Sequence, residues 1–138
     1  MIEARHPPWV WAALLIGLAY CVVGRVFALP TAHEQAWRLA AWLVSGAAFA
    51  AHIWYEHVRL HNPPRSLALH TAVAVALGAF ALAVAGALHS LAVSSSIRPA
   101  WLLAFLVWPA VTAVPAFLVA LATAAVLGRV QGRPGHEV

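Results

Sequence analysis

Charged residues are scarce in this chain of 138 residues, and two common kinds are missing. Only 9% of the residues are charged, lysine and aspartate do not occur, and all eight basic residues are arginines. Soluble domains carry roughly 25% charged residues, so the composition argues against a soluble fold. The single cysteine, Cys21, rules out an intrachain disulfide. The arginines are scattered at segment ends, so the formal net charge of +4 does not indicate a nucleic-acid partner.

What the chain has in place of charge is apolar sequence. Hydrophobic residues make up 64% of it, against roughly 45–50% in soluble domains. A bilayer core needs about 20 apolar residues per helix. We therefore predict an all-α integral membrane protein, a single domain over 1–138 with four transmembrane helices in up-down order and short loops. The four apolar runs are 9–28, 39–55, 67–93 and 100–128.

Helix boundaries follow from proline and capping signals. Thr31 and Glu34 fit a capping box that would start the second helix near Ala32. The Asn-Pro-Pro sequence at 62–64 should end that helix, and Ser66 can cap the third. The predicted helices are 8–29, 32–61, 66–93 and 99–129.

Two features predict how these helices pack. The third helix carries Ala79, Ala83 and Ala87 at four-residue spacing, which lets helices approach closely in lipid. We expect it to be the central element. Pro109 and Pro115 lie inside the fourth helix and should loosen it, with Thr112 available to compensate.

A polar stripe runs along the second helix. At about 100° per residue its six members fall within an arc of roughly 60°. A charged side chain at the bilayer centre costs at least about 2.5 kcal/mol, so the stripe should face protein or water rather than lipid. Its members are Glu34, Arg38, Ser45, His52, Glu56 and Arg59.

The residues most able to carry chemistry are His52, Glu56 and His70. His52 and Glu56 lie four residues apart on the stripe, and the turn at 63–64 should bring His70 near them. Imidazole and carboxylate groups can bind a divalent metal, relay a proton or form a structural hydrogen-bond network. The network is the default interpretation, and a metal, if present, would use these three residues. We expect the imidazole of His52 to face inward, near His70 and with Glu56 within reach.

A haem b is a further hypothesis. Two histidine ligands must share a membrane depth and face each other. Counted from the turn, His70 and His57 lie at the same membrane depth, whereas the helical wheel places His52 on the inward-facing side of its helix. The haem alternative therefore rests on these three histidines together.

Arginine distribution predicts the topology. Five arginines should lie on one membrane face and three on the other, which places both termini in the cytoplasm of a plasma (inner) membrane. We expect the first segment to be retained rather than cleaved as a signal peptide, because Arg25 interrupts the region before a cut and Pro30 follows it. The cytoplasmic set is Arg5, Arg59, Arg65, Arg129 and Arg133, and the external set is Arg25, Arg38 and Arg98.

These observations favour a small multi-pass membrane protein without catalytic residues, acting as an accessory or interaction subunit. Its partners would be the lipid bilayer and either further copies of the chain or a larger membrane complex. One alternative is an electron-transfer protein that binds haem or metal through the histidines named above. The other is a transporter of small solutes or protons, with its path along the polar stripe.

Overall fold

The computed structural model describes residues 7–29, 32–94 and 99–131, which form four α-helices. This confirms an all-α fold with four helices. Within this part of the chain, three segments are long and apolar enough to cross a membrane: Pro8–Val26, Pro64–Val93 and Ala100–Val130. The helices are α1 (Pro8–Val26), α2 (Glu34–Val58), α3 (Pro64–Ser94) and α4 (Pro99–Gln131).

The ends of α2 differ from the predicted ones. Its N-cap is His33, which has a left-handed backbone (φ 57°) and makes no side-chain capping bond. Thr31, the proposed cap, lies outside the described residues. The helix ends at Val58, three residues earlier than predicted, because the chain turns back through His61, which also has a left-handed φ of 51°. Pro64 then starts α3 directly, two residues before the predicted start, as a first-turn proline that needs no N–H partner.

Helix α3 is the centre of the molecule and packs along α4 and α1. Its alanines at 74, 79, 83 and 87 are buried. Where α1 crosses α3 the two backbones nearly touch: a Cβ on Gly78 would lie 2.7 Å from the Cβ of Tyr20 and 3.1 Å from the carbonyl oxygen of Gly17. Small residues on α3 thus create the close contact that lipid-embedded helices use in place of hydrophobic burial.

Helix α4 remains helical through both of its prolines. Thr112 donates its hydroxyl to the carbonyl oxygens of Trp108 (2.9 Å) and Pro109 (3.1 Å). Each proline lacks the N–H that would bond to the carbonyl oxygen four residues before it. Thr112 donates to neither of those two carbonyl oxygens. The hydroxyl therefore reinforces the segment between the prolines without replacing the bonds they remove.

Helix α2 has buried residues in its C-terminal part only, although Trp37 near its start contacts Phe27 at the end of α1 with ring centroids 5.7 Å apart. His52, Ile53 and Glu56 are buried, and Ile53 packs in a cluster with Leu67 and Ala68 of α3 and with Ala120 and Ala124 of α4. By contrast, no residue from 32 to 51 is buried, and the structure describes all of them. The polar stripe is therefore enclosed at one end of α2 and open at the other.

Candidate functional site

The carboxylate of Glu56 lies at the centre of a buried polar cluster where α2 meets α3. The Glu56 side chain is fully buried. Its Oε2 accepts a hydrogen bond from the side-chain amide of Asn62 and lies 3.1 Å from Nδ1 of His70. An ionised carboxylate can only accept, so Nδ1 of His70 is the donor in that state. We call Glu56, His52, Asn62 and His70 the Glu56 cluster.

The turn after α2 is what brings Asn62 to Glu56. Left-handed His61 reverses the chain, and the backbone N–H of Asn62 donates to the carbonyl oxygen of Glu56 at 3.3 Å. Main chain and side chain of Asn62 thus both bind Glu56. Histidine and asparagine tolerate such turn geometry better than most residues. The sequence around Asn62 predicted only the end of a helix, because a single asparagine before two prolines is a common turn signal.

His52 is buried beside Glu56 on the preceding turn of α2. It is 2% exposed, and its Nε2 lies 3.6 Å from Oε1 of Glu56. That distance exceeds a hydrogen bond. Within the described part of the chain, neither ring nitrogen of His52 nor Oε1 of Glu56 has a hydrogen-bond partner. The Glu56 carboxylate thus lies between the two imidazoles of the cluster. Its Oε2 is hydrogen-bonded, whereas its Oε1 has no partner among the described residues.

Trp9 of α1 closes the cluster from a third helix. Its indole stacks on the imidazole of His70, with ring centroids 4.2 Å apart and an angle of 2° between the planes. A tryptophan at the end of a membrane helix usually anchors it at the interface. The stack instead fixes the ring plane of His70 and directs Nδ1 at Glu56.

The remaining stripe residues lie outside the cluster. Glu34 and Arg38 form an ion pair at 3.2 Å, with side chains 61% and 77% exposed. Ser45 lines a cavity described below. Arg59 is exposed as the C-cap of α2, and His57 is half-buried next to Glu56 along the chain. The structure thus joins His52, Glu56 and His70, and it leaves Glu34 and Arg38 exposed at the other end of α2.

The haem hypothesis stays a prediction, and the metal hypothesis finds no preformed site in the described residues. Among the described residues, no three histidine, cysteine or acidic side chains are placed to hold a metal ion. His70 has Trp9 against one ring face and Glu56 at Nδ1. The cavity beside α2 is lined by none of His52, His57 and His70.

That cavity lies between α2 and the other three helices and has a volume of about 640 Å³. It exists because α2 stands away from the bundle before its buried C-terminal part begins. The wall is almost entirely apolar. Its residues are Tyr20, Val23, Gly24, Ala41, Trp42, Ser45, Gly46, Phe49, Val75, Ala79, Leu82, Trp108, Val111, Thr112, Pro115, Ala116 and Val119.

Comparison with known proteins adds no candidate function. No protein family model matches the chain, and no curated protein or solved structure shows significant similarity to it. The features from which a function can be inferred are therefore the Glu56 cluster, the cavity and the incomplete packing of α2.

Proposed function

We propose that all four helices span a plasma (inner) membrane and form a four-helix bundle. At about 1.5 Å per residue, the 25 residues of α2 would extend about 37 Å, more than the roughly 30 Å of a hydrocarbon core. The charges of α2 lie toward its ends, at Glu34, Arg38 and Glu56. The first two are paired and can reach an interface, and the last is shielded inside the Glu56 cluster.

The arginine distribution supports a topology with both termini in the cytoplasm. Arg59 and Arg65 flank the hairpin between α2 and α3, and Arg129 follows at the end of α4. Arg25 and Arg38 lie at the opposite ends of α1 and α2. Basic residues favour the cytoplasmic side of a membrane.

Within this framework we propose that the protein is a non-catalytic interaction subunit of a membrane assembly, either with further copies of itself or with another membrane protein. The observation that carries the proposal is the N-terminal part of α2, where the 18 residues from 34 to 51 are all unburied. At about 100° per residue, Leu39 and Leu43 lie about 120° and 160° around α2 from Ser45, so they face away from the cavity-lining side of the helix. An unburied helix face of this kind can pack on another helix in the membrane. The contact surface is therefore the face of α2 that carries Leu39 and Leu43.

Site-specific photo-crosslinking in native membranes tests the interaction role. A photoreactive residue at Leu39 or Leu43, which are 61% and 66% exposed, should give one adduct of defined mass. The same residue at Leu118 of α4, 59% exposed, is the matched control and should give only lipid-type adducts. Protein adducts at all three positions, or at none, would contradict an interface on α2.

A second function, transport of protons or a proton-coupled solute along the stripe, is favoured by one observation. Ser45 and Phe49 line the cavity. One turn further along the same helix face are the ring nitrogens of His52 and Oε1 of Glu56, which have no hydrogen-bond partner among the described residues. Purified protein in liposomes with an entrapped pH dye tests this function. Glu56→Gln should abolish proton flux, and flux unaffected by Glu56→Gln would exclude the path.

A further inference from the structure

The cavity beside α2 needs an occupant when the protein lies in a bilayer. Its volume of about 640 Å³ falls within the roughly 300–1,000 Å³ typical of small-molecule sites. An apolar space of this kind does not hold water, because water finds too few polar partners there. Left empty, its walls would lose dispersion contacts. A flexible hydrocarbon chain satisfies both conditions and is abundant in the surrounding membrane.

The end of the cavity nearest the N-terminus of α2 carries two opposite charges. Ala41 is the first residue of α2 in the cavity wall, and Arg38 precedes it by one turn. Arg38 and Glu34 lie on the same helix face as Ser45, which is inside the cavity. Both side chains are mostly exposed and 3.2 Å apart. They present a cation and an anion together on α2, about one turn and two turns before its first residue in the apolar wall.

We propose that this cavity binds one acyl chain of a zwitterionic phospholipid with a primary-ammonium head group. The phosphate of the head group pairs with the guanidinium of Arg38, as guanidinium groups commonly bind phosphate. The ammonium pairs with the carboxylate of Glu34. The acyl chain extends from there past Ser45 toward Phe49, where the cavity ends. This site lies on the side of α2 that carries Ser45, whereas the interaction surface proposed above is the face with Leu39 and Leu43. A bound chain would occupy the cavity that the transport path needs, so the lipid site and the transport function are alternatives.

Two glycines provide a matched pair of variants. A Cβ added at Gly46, in the cavity wall, would meet no atom within 4 Å, and the same holds for Gly128 near the end of α4. Leucine is therefore accommodated at either site, but only Gly46→Leu places its side chain in the cavity. Equal helix content and thermal midpoints establish that both variants are folded.

Native mass spectrometry of the full chain, purified in mild detergent with phosphatidylethanolamine or phosphatidylglycerol, tests the proposal. We expect wild type and Gly128→Leu to retain one phosphatidylethanolamine, and Gly46→Leu to bind it about tenfold more weakly because leucine occupies the space of the chain. Equal retention by the two leucine variants would overturn the site. Loss of an oligomer instead of lipid in Gly46→Leu would also overturn it and would identify a protein occupant.

Head-group variants test the charge assignment. Glu34→Gln should weaken phosphatidylethanolamine but not phosphatidylglycerol, which has no ammonium group. Arg38→Gln should weaken both, because both carry phosphate. Unchanged retention of both lipids in both variants would overturn the assignment of these two residues.

Discussion

At the residue scale, the two oxygens of Glu56 are in unequal surroundings. Oε2 accepts from Asn62 and faces the Nδ1 of His70, whereas Oε1 has only the more distant Nε2 of His52 beside it. A buried polar group that loses its partner retains the full cost of desolvation. Substitutions on the bonded side of the carboxylate should therefore be costly, and those on the unfilled side should not.

Replacing Glu56 by alanine should destabilise the protein by about 1–3 kcal/mol. The substitution leaves the amide of Asn62 and the Nδ1 of His70 buried without their acceptor. Thermal unfolding in detergent measures the effect. Glu34→Ala is the control, since that side chain is 61% exposed, and should change stability by no more than about 0.5 kcal/mol. Equal losses of stability at the two positions would show that the cluster has no structural role.

His52 and His70 should respond in opposite ways to leucine. His70→Leu removes a bonded and stacked ring and should lower the thermal midpoint. His52→Leu removes two buried nitrogens that have no partners among the described residues, so the midpoint should stay level or rise. If His52→Leu is as stable as wild type but loses proton flux, His52 acts in transport. A fall in midpoint as large as for His70→Leu would show that its ring nitrogens are bonded.

At the element scale, the position of α3 could be predicted and that of α2 only in part. Small residues on α3 indicated close packing on two sides, and the stripe indicated which face of α2 would turn inward. Burial of His52 and Glu56 on that face follows from a periodicity visible in the sequence. The stripe could not show that α2 touches its neighbours along only part of its length, because periodicity gives direction and not distance.

The crossing of α1 over α3 yields a prediction about packing. Gly78→Ala should cost about 1–3 kcal/mol, because the new methyl would lie 2.7 Å from the Cβ of Tyr20 and 3.1 Å from the backbone of Gly17. Neither of these atoms can move without shifting a helix. Gly46→Ala, with no atom within 4 Å of its Cβ, should be neutral or slightly stabilising. Thermal midpoints of the pair measure the difference, and equal midpoints would mean that the crossing can relax.

Two members of the site could not be predicted from sequence for physical reasons. Asn62 reaches Glu56 because His61 adopts a left-handed backbone, a conformation open to histidine but not dictated by it. Trp9 reaches His70 through a contact between α1 and α3 that depends on how the helices cross. The cavity likewise depends on the angle at which α2 leaves the bundle, and no residue pattern encodes that angle.

At the scale of the whole molecule, the proposed topology has a direct test. Reporter fusions after His33 and after Asn62 should give external and cytoplasmic signals, because α2 lies between them and is expected to span the membrane. Fusions at the C-terminus and in the loop at 94–96 should give cytoplasmic and external signals. Identical signals on the two sides of α2 would place that helix on the membrane surface. If all four signals were reversed, the protein would have the opposite orientation in the membrane.

The difference in apolar character between α2 and its neighbours also has a consequence for biosynthesis. Segments Pro8–Val26, Pro64–Val93 and Ala100–Val130 are long and apolar enough to cross a membrane. The buried residues of α2 pack instead on later parts of the chain: Ile53 on α3 and α4, and Glu56 on His70 of α3. If α2 spans the membrane, its stable insertion waits until α3 has left the ribosome. A nascent chain arrested when α2 but not α3 has left the ribosome should then expose α2 to added protease, and one arrested after α3 has left should protect it.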